Sequence, residues 1–96
     1  MTSQLPTEPP ASGPAVEVPP HGEKVRPKVT VYKHPRPSLL IYWPDRWQTA
    51  DVRARHDWPT GAIAYQVECS IWDDEGRTSR VSRTFLWGPD SIRQVE

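Results

Sequence analysis

Tryptophan and arginine side chains in the second half of the chain are the residues best suited to binding chemistry. Trp and Arg are the residue types most enriched at the energetic centres of protein interfaces, because each combines a large contact area with hydrogen-bond donors. Trp72 and Trp87 each stand directly before a turn signal, and arginines lie along the neighbouring predicted strands. We predict a partner-binding set made of Trp72, Arg80, Arg83, Arg53 and Trp87.

Catalysis needs a nucleophile and a base, and Cys69 with His56 is the one pair that invites this interpretation. No charge or helix N-terminus is evident beside Cys69 to stabilise a thiolate, and a buried cysteine is usually a small apolar residue. The sequence has no Gly-rich phosphate loop and no G-x-S-x-G elbow. We expect no catalytic residue and no enzymatic activity.

Metal binding has equally little support in the spacing. His21, His34, His56 and Cys69 are far apart and form no CxxC, HxxxH or HExxH motif. The acidic stretch 73–76 lacks the alternating carboxylates of a calcium loop. We expect no metal and no cofactor.

Charge and cysteine content narrow the class of protein. Twelve basic residues balance twelve acidic ones, so the bulk attraction to nucleic acid or anionic membrane that a basic protein shows is missing. One cysteine forbids an internal disulfide, and no apolar run is long enough to cross a membrane. We expect a cytoplasmic protein with no membrane partner. Nine Arg against three Lys, with no Asn, is typical of a GC-rich genome such as that of an actinobacterium or one of its phages.

The first 27 residues differ in amino-acid composition from the rest of the chain. They contain seven of the twelve prolines and no aromatic residue, so they cannot bury enough apolar surface to offset the backbone entropy of ordering. We predict a disordered Pro-rich arm over 1–27 and a small β domain over 28–96. Pro6-Thr7-Glu8-Pro9 has a PxxP spacing, which a tract this rich in proline also produces by chance.

Alternation of apolar and polar residues predicts the strands of the domain. Residues 28–33 alternate, 38–43 are apolar on both faces, and 48–58 alternate again. The stretch 61–87 is a hairpin whose turn, Asp73-Asp74-Glu75-Gly76, fits a three-residue loop with a type I turn and Gly in the left-handed position. We predict a three-stranded meander over 48–87, covered on its apolar face by a hairpin over 28–43.

A register for the meander follows from two loop choices. Trp58-Pro59-Thr60-Gly61 is interpreted as a four-residue loop, which with the second turn aligns four apolar rows. These rows are Ala50/Cys69/Val81, Val52/Val67/Arg83, Ala54/Tyr65/Phe85 and His56/Ile63/Trp87. On the polar face the register places Glu68 opposite Ser82 and diagonal to Arg53 and Arg80.

The fold class is therefore all-β: a small antiparallel sheet or barrel-like sandwich of about five strands behind a Pro-rich arm. Residues 91–96 are predicted to form one helical turn with Asp90 as N-cap. Ile92 and Val95 would close one end of the core.

Two side chains have alternative roles. Trp72 falls on the polar face, where it either covers the stem of Arg80 by a cation–π contact or serves as an exposed anchor. Arg83 points to the apolar face of the last strand, where it either guards a sheet edge or reaches a partner's carboxylate.

The leading functional hypothesis is a non-enzymatic protein-interaction or assembly component, of phage or actinobacterial type, that binds another protein or further copies of itself through the Trp/Arg set and the arm. The alternative is a small β-barrel that binds single-stranded nucleic acid, since aromatic and basic residues interleave along the strands.

Overall fold

The computed structural model describes residues 6, 8–18, 26–88 and 90–95. Their six strands form one antiparallel sheet, and no helix occurs among the described residues. The strands are β1 (Lys28–Val31), β2 (Ser38–Tyr42), β3 (Trp47–Asp57), β4 (Ile63–Trp72), β5 (Thr78–Leu86) and β6 (Ile92–Gln94). Their order is β5-β4-β3-β2-β6, with β1 also paired to β3. The predicted all-β antiparallel class is confirmed.

Strand β3 organises the sheet because it is long enough to pair with two strands along one edge. Its first half pairs with β2, from Trp47 to Asp51, and its second half pairs with β1, from Ala54 to Asp57. The other edge of β3 pairs with β4. The predicted hairpin over 28–43 is therefore wrong, because β1 and β2 both pair with β3 and not with each other.

The turn between β4 and β5 confirms its prediction. Gly76 N–H donates to the carbonyl of Asp73 at 3.0 Å, and Asp73 N–H donates to the carbonyl of Arg77 at 2.9 Å. Gly76 has a φ of 80°, in the left-handed region that glycine adopts without steric cost.

The turn between β3 and β4 has the same geometry, which corrects the predicted four-residue loop. Gly61 N–H donates to the carbonyl of Trp58 at 2.9 Å, and Trp58 N–H donates to the carbonyl of Ala62 at 3.0 Å. Gly61 has a φ of 93° and thus occupies the left-handed position of a three-residue loop.

A β-bulge at Arg53 compensates for the shorter loop. Val52 lies opposite Val67, as predicted, but the register shifts between Val52 and Ala54. Beyond the shift Ala54 faces Gln66 and His56 faces Ala64, so the predicted rows Ala54/Tyr65 and His56/Ile63 are wrong. The extra residue of a bulge turns the following side chains to the opposite face of the strand.

Residues directly opposite each other on paired strands share a face, which defines two surfaces. The inner face carries Val52, Val67, Cys69 and Phe85, and the outer face carries Glu68 and its neighbours at even-numbered positions of β4. The rows Cys69/Val81, Val67/Arg83 and Tyr65/Phe85 of the last hairpin are confirmed.

The core lies on the inner face. Its buried members are Ala15, Leu39, Ile41, Ala50, Val52, Val67, Cys69, Phe85 and Ile92. Phe85 is fully buried and meets the ring of Trp43 edge-on at a centroid distance of 5.1 Å. One core residue, Ala15, comes from the arm.

The C-terminal segment forms a strand, so the predicted helical turn over 91–96 is wrong. Ile92 lies opposite Ile41 of β2, and Tyr42 N–H donates to the carbonyl of Ser91 at 2.9 Å. An isolated helical turn of six residues does not repay its nucleation, whereas the free edge of β2 supplies ready hydrogen-bond partners. Ile92 is buried as predicted, but Val95 is 42% exposed and does not cover the end of the core.

Part of the arm lies against the sheet. Val18 N–H donates to the carbonyl of Thr84 and Leu86 N–H donates to the carbonyl of Val16, both at 2.8 Å. Residues 1–5, 7 and 19–25, which include His21 and Thr7 of the PxxP motif, lie outside the described residues. Disorder of the arm and the domain boundary at residue 28 stay predictions.

Candidate interaction surface

Trp72 ends β4 on the outer face, opposite Thr78. The guanidinium carbon of Arg46, from the loop between β2 and β3, lies 4.0 Å from the centroid of the Trp72 ring. This is a cation–π contact, which Arg makes readily because its planar guanidinium stacks on the indole face. The predicted contact type is therefore present, but its partner is Arg46 and not Arg80.

Glu68 gathers two of the predicted arginines on the same face. Arg53 Nη1 donates to Glu68 Oε1, and Arg80 Nη2 lies 3.9 Å from Glu68 Oε2. Arg80 also donates to the hydroxyl of Ser70 at 3.3 Å and remains 54% exposed along its side chain. The predicted position of Glu68 between two arginines is confirmed. We call Trp72, Arg46, Arg80, Arg53 and Glu68 the outer Trp/Arg group.

The remaining two predicted site residues lie apart from this group. Arg83 shares the inner face with Val67, and its Nε lies 3.2 Å from the carboxylate of Glu17 in the arm. Trp87 follows β5, is 39% exposed and meets the ring of Tyr65 edge-on at 5.8 Å. Of the two roles considered for Arg83, contact with a carboxylate is present, and the chain's own arm supplies that carboxylate.

The arm extends the sheet beyond β5. Glu17 lies opposite Phe85 in an antiparallel bridge, and Ala15 N–H donates to the carbonyl of Tyr42 at 2.9 Å. The arm therefore pairs with the edge of β5 on one side and reaches the end of β2 on the other. Main-chain pairing of this kind is how extended peptides are added to sheet edges in recognition.

Trp47 forms a second aromatic site, which the sequence did not single out. Its indole Nε1–H donates to the carbonyl of Glu8 in the arm at 2.8 Å. The ring of Tyr42 lies edge-on at 5.4 Å, and the guanidinium carbon of Arg93 lies 4.7 Å from the Trp47 ring. Trp47 is 5% exposed and is the one tryptophan of the described residues that is buried.

Gln48 holds this end of the sheet together. Its Nε2 donates to the carbonyls of Trp43 at 2.7 Å and Ser70 at 3.0 Å, and its Oε1 accepts from Ser70 N–H at 2.8 Å. The pairing of β3 with β4 begins only at Asp51, so the carboxamide takes the place of main-chain pairing at the start of β3. A polar residue at an inward position was the available signal, because buried polar groups require partners.

No protein-family model, curated protein or solved structure matches this chain.

The geometry gives the Cys69 and His56 pair no catalytic arrangement. Cys69 is fully buried on the inner face, and burial raises the pKa of its thiol, which opposes thiolate formation. His56 lies beyond the bulge, opposite Ala64, and therefore on the other face of the sheet. A proton transfer between the two would have to cross the sheet.

Metal-binding clusters and membrane-spanning helices are two further signs of function. Within the described ranges, His, Cys, Asp and Glu side chains form no group of three that could hold a metal ion. His21 lies outside these ranges. No helix able to span a membrane is found in the part of the chain that the structure describes.

Asp73 shows the clearest electrostatic effect at the β4–β5 turn. Its Oδ1 accepts from the main-chain N–H of Arg77 and of Glu75, each at 2.9 Å. The bond from Arg77 N–H is the main reason that the pKa of Asp73 lies below its usual value, because hydrogen bonds to the carboxylate favour the charged form.

Asp73→Asn should weaken the acid dependence of stability. Because folding lowers the pKa of Asp73, its carboxylate stabilises the folded chain above the unfolded-state pKa of about 3.9. That contribution disappears as the pH falls through the lower folded-state pKa. In urea titrations between about pH 5 and pH 2, we expect the midpoint of the variant to fall less steeply than that of the wild type. Asp74→Asn in the same turn is the control. Equal slopes for Asp73→Asn and the wild type would contradict the assignment.

Proposed function

We propose that this chain is a non-enzymatic interaction or assembly component that binds another protein or further copies of itself through the outer Trp/Arg group and the arm. The observation that supports this is the composition of the outer face at the end of β4. There the ring of Trp72 carries Arg46, and Arg80 projects from its ion pair with Glu68 while more than half exposed.

These side chains are set for contact with a protein surface. The arginines are held by Trp72 and Glu68, so less side-chain entropy is lost when a partner binds their free donors. Arg80 and Arg53 present guanidinium groups that suit carboxylates or main-chain carbonyls of a partner. Arg83 and Trp87 contribute at the arm and at the opposite end of β5. The proposed location is the cytoplasm, whose reducing conditions suit a chain with one buried thiol.

The test is affinity capture with the full chain as bait, using wild type, Trp72→Ala and Arg80→Ala. We expect both variants to lose the partner that the wild type retains. Their melting temperatures should fall by less than about 8 °C, the shift that roughly 1 kcal/mol causes in a domain of this size. Sedimentation velocity on the same samples shows whether the partner is a second copy.

Trp58→Ala is the matched control, because Trp58 is also half-buried but lies at the opposite end of β3. It should retain the partner. If Trp72→Ala and Arg80→Ala lose the native circular dichroism spectrum, or if they bind as well as Trp58→Ala, the outer Trp/Arg group is structural and the proposal fails.

Single-stranded nucleic acid is a second candidate partner, favoured by one observation. Two arginines stack on two tryptophans at the same end of the sheet, Arg46 on Trp72 and Arg93 on Trp47. Aromatic and basic groups together form stacking platforms for bases. Fluorescence anisotropy with an oligothymidylate should then show affinity that falls steeply as salt rises. Absence of binding at low salt removes this candidate.

A further inference from the structure

A proline-bearing part of the arm lies over Trp47. A cleft at this place is lined by Pro6, Glu8, Pro9, Pro10 and Ala11 from the arm and by Asp90 and Arg93 from the sheet side. Trp47 lies next to this cleft, since its indole bonds Glu8 and its ring has Tyr42 edge-on beside it and Arg93 over it. We call Trp47, Tyr42, Arg93 and Asp90 the Trp47 site.

The one hydrogen bond at the centre of the site recognises main chain. Trp47 Nε1–H donates to the carbonyl of Glu8 at 2.8 Å, while Glu8 itself is exposed. The indole therefore recognises the main chain at position 8 and not the side chain. Any extended segment that places a free carbonyl there would make the same bond.

A proline-rich segment fits this chemistry better than other peptides. Polyproline II backbone forms no internal hydrogen bonds and leaves its carbonyls free, and proline offers no N–H that would need an acceptor. Indole is a donor without an acceptor, so it complements such a backbone. The segment is also stiff before it binds, which reduces the entropy lost on docking on an aromatic surface.

The two parts of the described arm are held with different strength. Residues 15–18 make three main-chain hydrogen bonds to β2 and β5, whose donors are Ala15, Val18 and Leu86. Among the described residues 6 and 8–14, the bond from Trp47 is the only hydrogen bond to the sheet. Gly13 stands between the two parts with a φ of 85° and open space around the position of a Cβ atom. Release of the proline part would therefore break one hydrogen bond to the sheet among the described residues, whereas release of the strand part would break three.

We propose that the Trp47 site is a binding site for proline-rich peptide, that residues 6 and 8–11 occupy it in cis, and that a proline-rich segment of another protein takes it when the arm swings away at Gly13. The partner is defined by its chemistry: consecutive or closely spaced prolines around one free carbonyl. The inference does not depend on the outer Trp/Arg group.

The probe is a synthetic peptide with the sequence of residues 4–12, titrated into isotopically labelled full chain and followed by the indole N–H resonance of Trp47. In the variant Pro9→Gly/Pro10→Gly the cis segment binds less, so we expect saturable shifts with an apparent Kd at least about tenfold lower than in the wild type. The wild-type arm competes at a millimolar effective concentration. A peptide in which alanine replaces every proline should cause no shift.

Trp47→Phe in the same glycine background tests the donor. It keeps an aromatic ring and removes the N–H, and we expect a rise in Kd of roughly 3- to 10-fold, the worth of one hydrogen bond, read from the resonances of residues around Arg93. Arg93→Ala is the second variant, in case Trp47→Phe loses its dispersed spectrum. It should also weaken binding, whereas Trp72→Ala should leave peptide affinity unchanged.

Three results would overturn the proposal: equal binding of the alanine peptide, unchanged affinity in both Trp47→Phe and Arg93→Ala, or no shift of the Trp47 resonance at millimolar peptide in the glycine variant. In each case the Trp47 site is only the seat of the chain's own arm. Because Trp72→Ala separates the two surfaces, failure here leaves the outer Trp/Arg group untouched, and loss of partner capture leaves peptide binding untouched.

Discussion

Gln48→Leu is expected to lower the free energy of unfolding by about 3 kcal/mol, because three partly buried main-chain groups lose their partners at roughly 1–3 kcal/mol each. These groups are the carbonyl of Trp43 and both the carbonyl and the N–H of Ser70. Gln48 is 7% exposed, so water cannot replace the lost bonds without opening the sheet. Leucine has a similar volume, so the loss of stability is expected to come from the missing hydrogen bonds and not from a cavity. Urea unfolding monitored by tryptophan fluorescence measures the effect.

Gln66→Leu provides the comparison, because it makes the same chemical change on the outer face. Gln66 is half-buried and donates to the exposed hydroxyl of Ser82 at 3.2 Å. We expect a change below about 1 kcal/mol there, since water replaces this bond. If the two variants lose equal stability, Gln48 does not hold β3 to β4.

Phe85→Ala should cost about 3–5 kcal/mol, which is most of the stability of a domain this small. Phe85 is fully buried, lies opposite Tyr65 and meets the ring of Trp43. Its truncation removes a large apolar surface and leaves a cavity in the middle of the core. Calorimetry should show a melting temperature far below that of the wild type, or no cooperative transition.

Two neighbouring changes separate the cavity from a general effect of altering β5. Phe85→Leu retains much of the volume and should lose less than Phe85→Ala. Leu86→Ala removes a side chain that is 40% exposed and should change stability by less than about 1 kcal/mol. A Phe85→Ala protein as stable as Leu86→Ala would show that the core is centred elsewhere.

Local chemistry was sufficient to predict the β4–β5 hairpin. Asp73 and Gly76 specify its turn within five residues, and the alternation on either side specifies which residues are buried. Tyr65 therefore faces Phe85 as predicted. The outer ion pairs of Glu68 followed from the same register.

Features that depend on distant partners could not be predicted in this way. Nothing near Arg53 marks a bulge, because the bulge compensates for a loop that is one residue shorter than expected. Arg46 reaches Trp72 from a loop, where strand parity carries no information. Gln48 carried a usable signal in its polarity, but its acceptors belong to segments whose positions only the assembled sheet determines.

The strand part of the arm joins residues that are nearly the whole domain apart, with Glu17 opposite Phe85. During synthesis residue 17 leaves the ribosome before residue 85 is added to the chain. The arm therefore cannot pair with β5 until the C-terminal part of the domain has been made. Contacts between distant residues form late, since loop-closure entropy opposes them, whereas β3 to β5 are joined by short loops and can meet early. We expect the meander to form first and the arm to bind last. Pairing of the arm would then report that the sheet has already folded.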